Sequence, residues 1–224
     1  MNPRFPTLLL AVCLLFGCGE PDSQASATDA AAETNVATPF AAPTKLPDTV
    51  RVRLETEQGP ILLELNAKHA PVTVANFIAY VDQGRFDGTT FYRAAPTKGA
   101  PERGFIQGGI RRNYRLMLPP IAHEPTSKTG IRHEAGAISM ARSETGAGAM
   151  GDFFILTAAM PQMDAKGDEQ GYAAFGRVIE GMDVVRRILA APTVANAGRG
   201  AMRGQMLEKP VRIVSARRVE SQVQ

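Results

Sequence analysis

Alternating apolar and polar side chains predict a β-hairpin at the start of the regular part of the chain. Residues 50–55 alternate apolar and charged positions, and the same two-residue period returns over residues 61–65. Between them lies Gln58-Gly59-Pro60, a sequence typical of a turn. Because side chains of a strand point alternately to its two faces, each segment reads as a half-buried strand, and the two are expected to pair.

After the hairpin, the spacing of the apolar residues changes to that of a helix. Pro71 is a favourable residue for the first turn of a helix, and Gly84 is a favourable residue for its end. Between them, apolar residues recur at helical spacing: Val74, Phe77, Ile78 and Val81. A second helix is predicted over residues 182–190, ended by Pro192. Both helices therefore have one face to bury against a core.

The remaining regular segments are short strands separated by Gly, Pro and Ser. They are predicted at residues 90–94, 105–107, 137–141, 153–156, 174–178 and 211–219. The last is the weakest, because neither of its faces is cleanly apolar. Eight strands with two helices favour a mainly β antiparallel barrel or sandwich over residues 48–224, and the pattern alone does not decide whether the sheet closes.

The first residues resemble an export signal. Arg4 precedes an apolar run at residues 8–16, which is too short to span a bilayer. The run ends in Leu15-Phe16-Gly17-Cys18, which resembles a bacterial lipobox, so residues 1–17 are predicted to be removed and Cys18 to carry lipid. An ordinary secretory signal is the alternative. Gly19 after the cysteine favours an outer-membrane lipoprotein facing the periplasm.

Composition supports one domain behind a tether. Residues 18–47 are rich in Ala, Thr, Asp and Pro, a composition that predicts a disordered tether between the membrane and the domain. The net charge of +3 on 224 residues gives little support for a nucleic-acid partner. Cys13 lies within the signal, so the mature chain would keep one cysteine and no internal disulfide.

Four motifs, in order along the chain, resemble the cyclophilin-type peptidyl-prolyl isomerases. They are Asn76-Phe77, the segment 86–93 ending in Phe91-Tyr92-Arg93, the segment 105–109 and Phe153-Phe154-Ile155. The resemblance implies a closed eight-stranded antiparallel barrel capped by two helices. It also implies isomerisation of Xaa-Pro bonds in proline-containing unfolded or partly folded proteins, with no cofactor and no metal. We expect a monomer.

Arg93 is the predicted catalytic residue. A guanidinium stays charged at accessible pH and has five donors in a rigid fork, which suits hydrogen bonding to the nitrogen of a twisted prolyl bond. The alternative is a structural ion pair with a nearby carboxylate such as Asp87. Further candidates for substrate binding are Phe105, Ile106, Gln107, Ala141, Arg142, Asp152, Phe154 and Tyr172. Phe153, by alternation, should face the barrel interior.

Two departures from the family bear on this site. Gly104 stands where the resemblance implies a pocket phenylalanine, so either a bulge brings Phe105 into the pocket or Ile106 and Phe154 must form it. Asp152 stands where many relatives carry Gln and would put a carboxylate near Arg93, to orient it or to quench it. A catalytically weakened holdase or scaffold on the same fold is therefore the main alternative function.

Two weaker signals point elsewhere. His123-Glu124 and His133-Glu134 look like halves of a metal motif, but neither has a second His four residues on, and Pro125 would break a helix that aligned the ligands. A metal-dependent hydrolase is thus a remote third option. Gly146, Gly148 and Gly151 form a literal GxGxxG, but a strand follows rather than a phosphate-binding helix.

Overall fold

The computed structural model describes residues 46–111, 113–142 and 149–219. The predicted signal, Cys18 and the tether up to residue 45 lie outside the described residues, as do the first two glycines of the GxGxxG. Across the described ranges, helices are too short or too polar to span a bilayer.

The described residues form nine strands and three α-helices. The strands are β1 (Thr49–Thr56), β2 (Gly59–Asn66), β3 (Thr90–Thr97), β4 (Ala100–Gly109), β5 (Ala137–Met140), β6 (Asp152–Leu156), β7 (Ala173–Glu180), β8 (Thr193–Val194) and β9 (Met206–Val219). The helices are α1 (Pro71–Asp82), α2 (Thr126–Thr129) and α3 (Met182–Leu189). Short 3₁₀ turns lie at Pro161–Met163 and Gly200–Met202.

Eight of these strands close into an antiparallel barrel. Their spatial order is β1-β2-β7-β5-β6-β4-β3-β9, and β9 pairs back onto β1, with Arg51 opposite Val219. The closed barrel that the family resemblance implied is therefore confirmed. The two-residue strand β8 is an addition that pairs with β9. The short helix α2 was not predicted, because its four residues, Thr-Ser-Lys-Thr, carry no apolar period.

The barrel interior is the main hydrophobic core. Alternate positions of β1 and β2 supply fully buried aliphatic side chains, as the hairpin pattern predicted. Helix α1 contributes Phe77, whose ring centroid lies 4.9 Å from that of Phe86 and 5.4 Å from that of Phe153. Helix α3 buries Val185 and Ile188 in the same cluster. Both predicted helices thus bury one face.

A distant carboxylate holds the beginning of α1. Ala70 precedes the helix and offers no side-chain cap. Instead Glu124, which is 2% exposed, accepts hydrogen bonds from the backbone N–H groups of Val72 and Thr73 at 3.2 and 2.7 Å and from the Thr73 hydroxyl at 2.7 Å. Negative charge is favourable at this end of a helix, where the first N–H groups lack partners. Glu124 thus has a structural task within the fold.

Strand β9 begins five residues earlier than predicted, and its irregularity explains why its pattern was weak. Val211 and Ile213 are buried, but the next buried residue is Ala216, which breaks the alternation. The pairing with β1 shifts register at this point: Thr56 lies opposite Ile213 and Glu55 opposite Ser215. An extra residue in a strand moves the following side chains to the other face, so no single period describes β9.

Candidate active site

Arg93 emerges from β3 beside β4 and β9. Its Nε and Nη2 atoms donate to Oε1 of Gln205 at 2.8 and 2.7 Å, and Nη1 donates to Oε1 of Gln107 at 2.8 Å. The guanidinium carbon lies 4.9 Å from the centroid of the Phe105 ring. Three of the five guanidinium N–H groups are thus engaged within the described protein, and the side chain is fixed in orientation.

The alternative partner for Arg93 is engaged elsewhere. Both carboxylate oxygens of Asp87 accept hydrogen bonds from Arg217, at 2.8 and 2.6 Å, and Oδ1 also accepts from the backbone N–H of Ala216. The guanidinium of Arg217 holds the pKa of Asp87 below its usual value. Among the residues that the structure describes, Arg93 and Asp87 therefore form no ion pair.

Gln107 links Arg93 to a buried tyrosine. The Gln107 side chain is 8% exposed, and its Nε2 donates to the Tyr92 hydroxyl at 2.8 Å. Burial, followed by the charge of Asp152, raises the pKa of Tyr92, so this hydroxyl stays protonated at neutral pH. Burial also lowers the pKa of Arg93, against the opposing effects of Tyr92 and Tyr172. A guanidinium nevertheless remains charged in proteins, so the site presents a permanent cation.

A second apolar cluster, outside the barrel core, lies next to Arg93. We call it the floor cluster; it consists of Ala137, Phe154, Leu156 and Met160, flanked by the partly buried Phe105, Ala141, Met163 and Tyr172. The ring centroid of Phe154 lies 5.3 Å from that of Phe105 and 5.3 Å from that of Tyr172. Beside the fixed cation, the partly exposed rings of Phe105 and Tyr172 thus flank the buried ring of Phe154, while Phe153 lies in the barrel core.

The structure shows which residue of β4, Phe105 or Ile106, lies on the same face as Gln107. The pairing of β4 with β6 runs without a shift from Phe105 to Gly109, so no bulge occurs there, and alternation puts Phe105 on the same face as Gln107. Ile106 is fully buried in the barrel core. The prediction that Ile106 binds substrate is therefore wrong, because its side chain points to the opposite face.

Gly104 has a steric reason to differ from the family. Its backbone φ is +148°, and a Cβ added there would lie 2.2 Å from the carbonyl oxygen of Ala95 on the neighbouring strand. A phenylalanine cannot occupy this position without moving β3. Phe105 instead supplies the ring that meets Phe154.

Asp152 organises the rim of the site. Its Oδ1 accepts a hydrogen bond from the backbone N–H of Arg111 at 2.8 Å, and Arg111 has the left-handed φ of +46°. The Arg111 guanidinium carbon lies 5.4 Å from the centroid of the Tyr92 ring. Within the part of the chain that the structure describes, Arg93 forms no salt bridge with Asp152. On the opposite rim, the exposed Arg142 lies 5.7 Å from the centroid of Tyr172.

His133 lies behind Phe154 rather than in a metal site. Its ring is nearly parallel to that of Phe154, with centroids 6.1 Å apart. Nδ1 lies 2.7 Å from Oδ1 of Asp164, and Nε2 lies 3.0 Å from Oγ of Ser139. Burial lowers the pKa of His133 more than the hydrogen bond and charge of Asp164 raise it. A neutral imidazole with two partners therefore supports the back of the floor cluster.

Sequence reasoning missed Gln205, Tyr92 and the partners of His133. Gln205 lies between the second 3₁₀ turn and β9, in a segment that reads as a solvent-exposed basic loop. Its contact with Arg93 joins residues 112 positions apart, so no local sequence pattern predicts the contact. For Tyr92, the adjacent Arg93 and the family motif were an available signal.

Comparisons with known proteins agree with this geometry. The chain matches the family described as cyclophilin type peptidyl-prolyl cis-trans isomerase/CLD over residues 51–218. It is 33% identical over 167 residues to a peptidyl-prolyl cis-trans isomerase of Acinetobacter baylyi, covering 73% of this chain and 82% of that one. It is 30% identical over 171 residues to peptidyl-prolyl cis-trans isomerase B of Escherichia coli, covering 73% and 96%.

A solved structure has the same fold. A cyclophilin type peptidyl-prolyl cis-trans isomerase of Cryptosporidium parvum superposes with a TM-score of 0.58 at 19% identity, covering 77% of this chain and 99% of that chain. Since the family match spans most of the chain and includes the strands that carry Arg93, Gln107 and Phe154, the chain belongs to the cyclophilin-type peptidyl-prolyl cis-trans isomerases.

Proposed function

We propose that this protein accelerates cis-trans isomerisation of Xaa-Pro bonds in proteins of the bacterial envelope, with Arg93 as the catalytic residue. The observation that carries the proposal is the fixed guanidinium of Arg93 beside the floor cluster. Two of its five N–H groups are left to a ligand once the bonds to Gln205 and Gln107 are counted. Phe154 and Phe105 offer the apolar surface that a proline ring requires.

The chemistry requires no bond to be made or broken. Amide resonance raises a rotational barrier of about 18 to 20 kcal/mol, so uncatalysed exchange takes tens of seconds or longer. In the twisted state the prolyl nitrogen regains a lone pair that accepts a hydrogen bond. A donor held at that nitrogen binds the twisted state better than either planar state, and this difference lowers the barrier.

Gln107 acts on the reaction through Arg93. Its Oε1 accepts from Arg93 and its Nε2 donates to Tyr92, so both ends of the amide are already engaged. This supports a role in orienting the guanidinium. Ala141 and Tyr172 border the floor cluster and form the side of the groove on which the peptide lies.

An exchange assay on a neutral Ala-Pro peptide tests the proposal. The wild type should accelerate isomerisation, and Arg93→Ala should lose about 100-fold or more in kcat/KM, as for removal of one preorganised donor. Arg51→Gln is the matched control, since Arg51 lies on β1, which β9 separates from β3, and Arg177 would still pair with Glu64. Arg93→Ala is compared only if its circular dichroism and urea midpoint match those of the wild type.

Two results would contradict the proposal. A wild type that binds the peptide without accelerating exchange would instead be a holdase or scaffold. A bell-shaped rate profile between pH 6 and 9 would indicate acid and base groups, since the charge of Arg93 is constant in that range.

The envelope location rests on the amino-terminal sequence. We propose that residues 1–17 are removed, that Cys18 is acylated, and that residues 18–47 tether the catalytic domain, residues 48–224, to the outer membrane as a monomer. Mass spectrometry of the protein from membrane fractions should find a lipid-modified amino-terminal Cys18. Recovery of the mature chain in the soluble periplasmic fraction with an unmodified amino terminus would contradict the anchor.

A further inference from the structure

Arginines and aromatic rings alternate across the proposed site. Each of three arginines has its guanidinium carbon close to the centroid of one aromatic ring. The distances are 5.4 Å for Arg111 and Tyr92, 4.9 Å for Arg93 and Phe105, and 5.7 Å for Arg142 and Tyr172. Gln107 joins the first pair to the second, and Phe154 joins the second to the third. We call the set the arginine row; it consists of Arg111, Tyr92, Gln107, Arg93, Phe105, Phe154, Tyr172 and Arg142.

Contacts with aromatic rings set the arginine row apart from the rest of the described surface. Within the described ranges, every cation–π contact belongs to the row. Six other arginines on the barrel and its helices form salt bridges with carboxylates: Arg51, Arg53, Arg177, Arg187, Arg217 and Arg218. Among the same described residues, the three arginines of the row form none, and neither do others such as Arg115 and Arg132. An arginine over a ring keeps its positive charge, and its remaining donors can meet an anion.

Two carboxylates lie near the row, and the fold uses both. Asp152 accepts from the backbone N–H of Arg111 and so helps to hold that residue in its left-handed conformation. Asp164 accepts from the backbone N–H of His133 and bonds its ring, behind Phe154. Asp152 keeps its charge and acts on Tyr92, so it offsets part of the positive charge at that end of the row. The row still has three guanidinium groups, and Arg111 and Arg142, at its two ends, are exposed.

We propose that the site selects prolyl segments flanked by acidic residues, with Arg111 and Arg142 as specificity-determining residues. The inference rests on the proposed function, because it requires the peptide to lie along the row. A Glu or Asp side chain close to the proline would meet Arg142 on one side of the groove and Arg111 on the other. Each such pair is exposed, so each should change kcat/KM by about 2- to 5-fold.

The test compares three peptides that differ only in charge around one Ala-Pro bond: neutral, with Glu on each side, and with Lys on each side. For each protein the readout is the ratio of kcat/KM for the Glu peptide to kcat/KM for the neutral peptide. In the wild type at low salt this ratio should be about 5 or more, and the Lys peptide should be slower than the neutral one. At 0.5 M NaCl the ratio should approach 1, because salt screens exposed charges.

Charge variants attribute the preference to named residues. Arg111→Gln and Arg142→Gln should each lower the ratio about 2- to 5-fold, and Arg142→Glu should favour the Lys peptide. Moving the single Glu from one side of the proline to the other shows which arginine serves which side. Arg51→Gln, which removes the same charge from β1, should keep the wild-type ratio.

The outcomes separate this inference from the proposed function. If the neutral peptide is accelerated but the wild-type ratio is 1 or below, or if both rim variants keep the wild-type ratio, the selectivity is refuted and the isomerase proposal stands. If no peptide is accelerated, the isomerase proposal fails and the inference fails with it. The circular dichroism spectrum and urea midpoint of every variant preparation report whether the fold is intact.

Discussion

Acid should destabilise the fold through His133. The side chain is buried with the residue 1% exposed, and burial lowers its pKa relative to the unfolded chain, where an ordinary value near 6.5 applies. The folded protein therefore takes up this proton less readily than the unfolded protein. Stability from the neutral ring is fully present above pH 6.5 and is lost as the pH falls toward the pKa of the folded state.

The size of this loss of stability follows from the uptake of one proton by His133 in the unfolded chain. If the folded state stays unprotonated at His133, moving from pH 7.5 to 5.5 lowers the free energy of unfolding by up to about 1.4 kcal/mol. Urea denaturation at several pH values measures this slope. His133→Gln should be less stable at pH 7.5 but should show a flat dependence over the same range. His69→Gln, which removes an exposed histidine, should keep the wild-type slope. Equal slopes in the wild type and His133→Gln would refute the reasoning.

Three further changes test the structural assignments. Gln205→Ala removes two hydrogen bonds to Arg93 and should lower kcat/KM by about 10-fold with little change in the urea midpoint; unchanged kcat/KM would show that Gln107 alone orients the guanidinium. Glu124→Ala should destabilise the protein by about 1 to 3 kcal/mol in urea denaturation, because the first N–H groups of α1 lose their acceptor. Gly104→Ala should cost about 2 kcal/mol or more by the same measurement, since its Cβ would overlap the carbonyl of Ala95; a neutral effect would contradict the close approach of β3 and β4.

Much of the barrel was predictable because its signals are local. The hairpin, α1 and α3 follow from periods that span a few residues, and the hairpin and α1 bury the positions that their patterns predict. Closure of the sheet was not predictable from pattern, because the pairing of β1 with β9 joins the two ends of the domain. The family resemblance supplied it.

The structure brings several of the predicted site residues together and places Ile106 elsewhere. Arg93 was singled out from its type and motif, and the structure brings it together with Gln107 and Phe105. Ile106 was misassigned because the sequence did not show which face of β4 carries Phe105. It therefore left open whether Phe105 or Ile106 contributes to the pocket. Gln205 could not be found, since its contact depends on a loop that returns from the far end of the chain.

The closure of the barrel also determines when folding can finish. Strand β1 finds its second neighbour in β9, the last of the described strands. Until residues 206–219 have been synthesised, β1 and β3 each lack a neighbour and expose unpaired backbone groups. Contacts of such long sequence separation form late, so a nascent chain stays open until its carboxyl end is available. Loss of β9 would leave an open sheet rather than a smaller barrel.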